Sequence, residues 1–271
     1  MASVILAVLD HPAAAQALLT AARRLAEDSG ARRINALAVR APPETMVSPS
    51  EEVLTEQREA TLHAAEADRV AKVRHVFDAW VADMPAAIRT EWIDIDGVAE
   101  LLVEERGRRA DCIVVEQPSR QDYGISWHAL RAALFSSHRP VLLVPHQYAG
   151  AFGQRIAIAW RNDERATKAV LSALRCFRRV EHVYLLTGTR AGAATPNLPS
   201  ILAEHGVNAE LHEMPIGSGA FGGSLLRKAH ELGADMLVMG AYQHTPLREL
   251  LLGGVTRYML THADIPVLMQ H

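Results

Sequence analysis

The sequence predicts an α/β protein made of two tandem Rossmann-like domains, each a five-stranded, mostly parallel sheet flanked by helices. Three observations support this prediction. Short apolar runs alternate with helical patterns along the chain, which favours parallel strands joined by helical crossovers. The order of these elements occurs twice. A chain of 271 residues also has room for two domains of ordinary size.

The first half begins with an apolar, β-branched run that is short enough for a strand buried on both faces. A proline then opens an alanine-rich helical pattern, which ends at Ser29-Gly30. The predicted strands are residues 4–9, 34–39, 88–95, 111–116 and 141–144. The predicted helices are residues 12–28, 51–82, 98–108 and 127–137.

The second half repeats this order after a short linker at residues 146–154. Its predicted strands are residues 156–160, 182–187, 208–214, 236–239 and 266–269. Its predicted helices are residues 164–178, 200–205 and 221–232, with a further helical pattern after Gly254. Asp111 aligns with Asp235, and Pro140 aligns with Pro266. We therefore expect a duplication, with domains at 1–146 and 155–271 related by an approximate two-fold axis.

The composition limits the classes of partner. A formal net charge of −3 gives no electrostatic basis for binding nucleic acid or an anionic membrane. The apolar run at residues 4–9 is too short to span a bilayer and has no basic leader, so we expect a cytoplasmic protein. Cys112 and Cys176 lie inside apolar patterns, which predicts two buried thiols rather than a disulfide.

The stretch from Gly233 to His271 carries the clearest chemical signal. An apolar run ends at Gly240, a polar loop follows, and Gly253-Gly254 opens a short helical pattern. A helix N-terminus presents unpaired N–H groups and the positive end of its dipole, and glycines let the backbone approach a ligand closely. This arrangement is typical of a phosphate-binding α/β unit.

These features resemble the tandem form of the universal stress protein family, and the second half carries the resemblance most clearly. The family signature is Gly, two residues, Gly, nine residues, Gly and then Ser or Thr. In this sequence Gly240, Gln243 and Gly253 take the three glycine positions, and Gly254 takes the hydroxyl position. The run Ala-Asp-Met-Leu-Val-Met-Gly that leads into the signature is close to bacterial members.

The resemblance implies that the second domain binds ATP, with or without Mg²⁺, between its fourth strand and its last helix. The implied phosphate-side residues are Gly240, Gly253, Gly254, Val255 and Thr256, with Gln243 at the second glycine position. The implied base-side residues are Ala159, Trp160, Arg161 and Thr187. Arg161 stands where such members often carry an acid. If residue 243 needs φ > 0, a residue other than glycine costs about 1 kcal/mol there.

The first half has lost this signature. Glu116 and Ser119 stand at the first two glycine positions, and Trp127 and His128 stand at the last pair. A carboxylate at the mouth of the site repels phosphate, and an indole ring fills its volume. We therefore expect no nucleotide in the first half, although Asp10 is retained at the end of its first strand.

Other motifs carry less weight. A Gly-x-Gly-x-x-Gly run occurs at residues 217–222, but Asp235 precedes the next strand instead of following it, which disfavours a dinucleotide site. We interpret this run as a loop and helix cap that borders the nucleotide site. None of the 13 histidines has metal-ligand spacing, and neither a Gly-x-Ser-x-Gly nor a Gly-Lys-Ser/Thr motif occurs. The sequence thus predicts no catalytic residue and no metal site.

The expected function is that of a nucleotide-responsive stress-response protein rather than an enzyme. Two alternatives stay open: a nucleotide-free scaffold or protein-interaction module of the same family, and a slow ATPase. We expect the last strands of the two halves, residues 141–144 and 266–269, to pair within one chain and so hide both edges. The result would be an internal pseudo-dimer, with a further homodimer as a second level of assembly.

Overall fold

The structure, a computed structural model, describes residues 3–46, 55–118, 125–146, 148–190, 192, 197–217, 221–241 and 254–271. Ser119, Gln243 and Gly253, which the sequence places at signature positions, lie outside the described residues. The chain divides into two compact units, Met1–Arg139 and Pro140–His271. Each unit has a sheet with helices packed against it.

The first unit has four strands in its described residues: β1 Val4–Val8, β2 Arg33–Arg40, β3 Arg89–Asp96 and β4 Cys112–Glu116. Their order is β3-β2-β1-β4, and all three pairings are parallel. The helices are α1 Pro12–Ser29, α2 Pro43–Met46, α3 Glu56–Val81, α4 Ala99–Gly107 and α5 Ile125–Arg131, which runs on into a π-helical turn at Ala132–Ser136. Ile5 lies opposite Ile34 on one side and Cys112 on the other, so β1 is central and its apolar run is continuous.

Helices α1 and α3 pack against each other and against this sheet. Helix α1 begins with Pro12 in its first turn and ends at Gly30, whose φ of 75° is in the left-handed region that favours glycine. Helix α3 buries Val73, Phe77 and Trp80, as its apolar stripe predicts. The same stripe predicts a buried Ala65, and this is wrong: Ala65 is exposed and the neighbouring Glu66 is buried.

The second unit has six strands in its described residues: β5 Val141–Val144, β6 Arg155–Trp160, β7 His182–Thr189, β8 Ala209–Pro215, β9 Met236–Gly240 and β10 Val267–Gln270. Its helices are α6 Glu164–Cys176, α7 Ser200–Glu204, α8 Phe221–Glu231 and α9 Val255–His262. The strand order is β5-β10-β9-β6-β7-β8. Strand β5 pairs antiparallel with β10, and the other pairings in this unit are parallel.

The predicted α/β class, with mostly parallel strands and helical crossovers, is confirmed in both units. The expected pairing of the two last strands is also confirmed, since Leu143 lies opposite Val267. Because of this pairing, β5 belongs to the same compact unit as β10, whereas the sequence repeat assigns it to the first domain. The repeat boundaries at 1–146 and 155–271 and the two-fold axis stay predictions.

The duplication is visible in a pair of equivalent aspartates. Asp111 precedes β4, and its Oδ2 accepts a hydrogen bond of 2.7 Å from the Val4 backbone N–H at the start of β1. Asp235 precedes β9, and its carboxylate accepts from three successive backbone N–H groups, of residues 153–155, at 2.8 to 3.1 Å. In each unit the carboxylate thus ties the start of one central strand to the start of its neighbour. This contact also explains Asp235 without a ribose-binding role.

Cys112 and Cys176 are both buried and are not joined in a disulfide, so the prediction of two buried thiols is confirmed. Over the described residues, no helix combines the length and the apolar character that crossing a membrane requires.

Candidate functional site

A cavity of about 450 Å³ opens in the second unit where β6, β7 and β9 end. In strand order β6 lies between β7 and β9, and the chain runs first to β7 and later returns to the other side of β6. The carboxyl ends of β6 and β9 therefore flank a topological switch point, where open α/β sheets bind their ligands. The starts of α6 and α9 complete the wall.

Eight of the ten residues that the sequence assigns to nucleotide binding line this cavity together: Ala159, Trp160, Arg161, Thr187, Gly240, Gly254, Val255 and Thr256. The other two, Gln243 and Gly253, lie outside the described residues. The fold thus brings the predicted base-side and phosphate-side residues to one place, although they are far apart in the sequence.

Gly240 ends β9 directly beneath the first turn of α6. A Cβ atom added to Gly240 would lie 2.9 Å from the Arg165 Cβ and 3.0 Å from the Ala166 backbone N. Both distances are too short for a side chain, and the helix backbone cannot move aside cheaply. Gly240 is therefore required for the close approach of α6, in addition to any role beside a phosphate.

Gly254 is the N-cap residue of α9, with φ −80° and ψ 172°. This is extended backbone that any residue adopts, so its conformation alone does not require glycine. A glycine at the N-cap supplies no capping oxygen, and the first turn of α9 meets the cavity at Gly254, Val255 and Thr256. The positive end of the helix dipole therefore faces the cavity and favours an anion there.

The start of α6 brings a carboxylate and two guanidinium groups to the cavity wall. Asp163 is the N-cap residue of α6, and its Oδ1 accepts from the Ala166 N–H at 2.9 Å. Its Oδ2 accepts from the Arg161 Nε at 2.7 Å. Burial raises the pKa of the Asp163 carboxyl, but the hydrogen bonds from Ala166 and Arg161 and the Arg161 charge outweigh burial and hold the pKa below its ordinary value.

The wall between β7 and α8 is apolar. It contains Leu186, Ile216, Phe221 and Leu225, and it continues to Trp160 and Met239. Thr187 adds a hydroxyl to this wall: the residue is 6% exposed, and its side chain has no hydrogen bond to any described residue. The cavity thus combines an apolar side, which suits a planar base, with a positively charged side.

The Gly-x-Gly-x-x-Gly run borders the cavity through Phe221, and Ile216, which precedes the run, also lines it. Its last glycine, Gly222, has a packing role. A Cβ atom there would lie 2.6 Å from the Cβ of Tyr258, so glycine lets α8 and α9 pack closely. Residues 218–220 of the run lie outside the described residues.

Asp163 and Arg165 line the cavity but were not predicted as site residues from the sequence. An aspartate directly before a helical pattern is an N-cap signal, so the position of Asp163 at the start of α6 could have been predicted. Nothing in the sequence distinguishes Arg165 from the other arginines, because its place in the wall depends on where α6 crosses the end of β9.

The equivalent position in the first unit holds a buried network of charged side chains. Glu116, which aligns with Gly240, is 5% exposed, and its Oε2 lies 2.9 Å from the His11 Nδ1. Asp10 follows β1, is 7% exposed and accepts a hydrogen bond from the Ser126 hydroxyl. The Ser126 Oγ lies 3.3 Å from the His11 Nδ1. These contacts join the ends of β1 and β4 to the start of α5.

Arg69 of α3 completes this network. Its guanidinium donates to the backbone oxygens of Asp10 and Val39 at 2.6 Å and lies 3.2 Å from the Asp10 Oδ1. It also donates to both carboxylate oxygens of Glu66 at 2.9 Å, and the Ala41 N–H donates to the same carboxylate at 3.1 Å. Burial raises the pKa of Glu66, but Arg69 and the Ala41 N–H outweigh it and hold the pKa below its ordinary value. This pairing explains why Glu66 is buried in α3.

The remaining signature positions of the first unit differ in exposure. Trp127 is half-buried in α5, and His128 is exposed, with its Nδ1 3.7 Å from the Glu100 carboxylate. Neither residue reproduces the glycine N-cap that starts α9. The two units therefore present different chemistry at equivalent strand ends.

Residues 202–271 match the model of the universal stress protein family. This segment of the second unit is therefore similar to the universal stress protein family. The matched segment contains β8 to β10 with α8 and α9, and so includes the Gly240 and Gly254 edge of the cavity. The first unit has the strand order β3-β2-β1-β4, which is equivalent to β8-β7-β6-β9 in the second unit, so the fold fits a tandem arrangement.

Solved structures share the fold over nearly the whole chain. A universal stress protein from Archaeoglobus fulgidus DSM 4304 has a TM-score of 0.68 at 14% identity, covering 98% of this chain and 95% of that chain. A protein from Pseudomonas aeruginosa PAO1, described as functionally unknown, has a TM-score of 0.57 at 15% identity, covering 99% and 92%. Identities this low show the fold alone. No curated protein sequence matches the chain.

Proposed function

We propose that the second unit binds a nucleotide, ATP, in the cavity at the ends of β6, β7 and β9, and that the protein is a nucleotide-responsive regulatory protein. One observation carries the proposal: a single cavity of about 450 Å³ joins an apolar wall to a helix N-terminus and two arginines. A volume in this range suits a ligand of nucleotide size. The described wall contains two arginines and one aspartate, so its net charge is positive and favours an anion.

The residues of the wall divide according to the chemistry of a nucleotide. Trp160, Leu186 and Phe221 offer apolar surface for a base, and the Thr187 hydroxyl is placed to exchange a hydrogen bond with a polar atom of the ligand. The start of α9 at Gly254 and the two arginines at the start of α6 suit phosphates. Mg²⁺, when present with ATP, neutralises part of the phosphate charge.

The site has little to support hydrolysis. Asp163 is the carboxylate of the described wall, and both of its oxygens already accept hydrogen bonds. Its lowered pKa makes it a weak general base near neutral pH. We therefore propose binding without turnover, and the slow ATPase stays the weaker alternative.

The test is thermal unfolding with and without ATP and Mg-ATP. A ligand that binds only the folded chain stabilises it by about 2.7 kcal/mol at 100 times its Kd, so we expect a higher Tm in millimolar ATP. Gly254→Glu should abolish the increase, because a carboxylate at the start of α9 repels phosphate, while its extended backbone accommodates glutamate.

The matched control is Asn208→Glu, which adds the same charge at an exposed position outside the cavity and should retain the increase. An unchanged Tm of the wild-type protein in millimolar ATP would contradict the proposal and favour a nucleotide-free scaffold. Phosphate release that disappears in Gly254→Glu would favour the ATPase.

A further inference from the structure

We propose that Arg165 is the specificity-determining residue that makes the cavity select phosphorylated ligands over uncharged ones. The inference deepens the proposed function and rests on it. Arg165 lies in the first turn of α6 and is part of the cavity wall. It does not belong to the glycine signature, so it is an additional recognition element of this chain.

The other charges at the start of α6 are already engaged. The Arg161 Nε and the Asp163 Oδ2 form an ion pair at 2.7 Å, and Asp163 also caps the helix. Glu164, next in the chain, is largely exposed and pairs with the Lys168 Nζ at 2.8 Å. Within the described residues, no hydrogen bond or ion pair engages the Arg165 guanidinium. Arg165 is therefore the cation of this wall that a ligand can recruit without breaking an existing ion pair.

The position of Arg165 points to the phosphate side of the cavity. Its Cβ lies 2.9 Å from the place where a Cβ on Gly240 would stand, so the side chain leaves α6 beside the first glycine of the signature. A guanidinium binds phosphate with parallel N–H···O hydrogen bonds, which a neutral nucleoside cannot accept. Thr187 and the apolar residues contact the uncharged part of the ligand instead, and they do not depend on Arg165.

The experiment is calorimetric titration of the whole chain with ATP and with adenosine. Arg165→Gln keeps the length and polarity of the side chain and removes its charge. We expect it to weaken ATP binding about ten-fold or more, because hydrogen bonds between charged groups contribute more than neutral ones. Adenosine affinity should not change. Arg165→Lys keeps the positive charge but lacks the planar guanidinium that donates two parallel hydrogen bonds, so it should retain part of the ATP affinity.

The matched control is Arg175→Gln, which removes an exposed arginine from the last turn of the same helix and should bind both ligands as the wild type does. Equal ATP affinity in Arg165→Gln and the wild type would overturn the inference while leaving nucleotide binding intact. Equal losses of ATP and adenosine affinity would also overturn it, because they would indicate a structural role. A wild-type chain that binds neither ligand would overturn the proposed function itself, so the two failures are distinguishable.

Discussion

At the residue scale, the two units carry opposite charges at equivalent positions. Asp10 follows β1 in the first unit, and the aligned residue after β6 in the second unit is Arg161. Asp10 is buried and engaged by Arg69 and Ser126, whereas Arg161 pairs with Asp163 at the edge of the cavity. The difference between Asp10 and Arg161 thus accompanies a difference in the site. The strand end in the first unit is filled by side chains of the protein, whereas the one in the second unit leaves room for an anion.

Arg69 provides the residue-scale prediction for the first unit. Replacing it with leucine leaves Asp10 and Glu66 buried without their shared cation. Removing one partner of a buried ion pair typically costs about 3–5 kcal/mol, so we expect a loss of this order in the free energy of unfolding, measured by urea denaturation. Lys72→Leu, on the same helix, should cost less than about 1 kcal/mol because its pair with Asp68 is exposed. Similar small losses for both variants would contradict the role assigned to Arg69.

Some residue-scale features could be predicted from the sequence and others could not. The place of Gly240 at the end of a strand was predicted, because an apolar run stops there before a polar loop. The contact that requires glycine, with the backbone of α6, is a tertiary contact that no local pattern encodes. The burial of Glu66 was missed for the same reason: a carboxylate is buried only when it is paired, and its partners include Ala41, distant in the sequence.

At the element scale, the length of one connecting helix separates the two units. In the first unit the chain between β2 and β3 forms α3, 26 residues long, which brings Glu66 and Arg69 to the strand ends. The equivalent connection in the second unit contains α7, only five residues long. The long helix thus supplies the side chains that fill the first strand ends, and the short one leaves the second strand ends open to α6 and α9.

The contact between α8 and α9 gives the element-scale prediction. Gly222→Ala places a methyl group 2.6 Å from the Cβ of Tyr258, so we expect a loss of about 1–3 kcal/mol in unfolding free energy. In a Tyr258→Gly background, which removes the Cβ that the new methyl group meets, the same glycine substitution should cost much less, and a double-mutant cycle measures the difference. Gly217→Ala is the control, because no atom of the described residues lies within 4 Å of a Cβ there. Equal effects of the two glycine substitutions would show that the packing is not tight.

Most elements were predictable because hydrophobic periodicity and helix-ending residues are local signals. Strand β5 has the predicted bounds, and α1 begins at Pro12 and ends before Gly30 as expected. Helix α2 and the π-helical turn at Ala132–Ser136 were not predicted. A single turn at Pro43–Met46 has too few residues for a periodic signal, and a π-helical turn arises from packing rather than composition.

At the scale of the whole molecule, the chain is a tandem of two similar units with unequal sites. The repeated order of strands and helices predicted this arrangement. The assignment of β5 depended on its antiparallel pairing with β10, which local sequence does not encode. This pairing hides two strand edges within one chain, and a further homodimer through another surface stays a prediction.

The two units differ at their equivalent strand ends, and this difference predicts how many ATP molecules one chain binds. The second unit offers a cavity with an apolar wall and a helix N-terminus, whereas at the corresponding strand ends of the first unit Glu116 and Asp10 are buried carboxylates that repel phosphate. We expect Gly254→Glu to eliminate ATP binding by the whole chain and Arg69→Leu to leave its stoichiometry unchanged, provided that Arg69→Leu remains folded at the temperature used.

Equilibrium dialysis of the intact chain against radiolabelled ATP counts the nucleotide sites per chain without relying on a change in stability. We expect saturation at one ATP per chain, with the bound nucleotide lost in Gly254→Glu. Saturation at two ATP molecules per chain would show that the buried network of the first unit does not exclude nucleotide. An absence of binding at millimolar ATP would contradict the proposal that the second unit binds ATP.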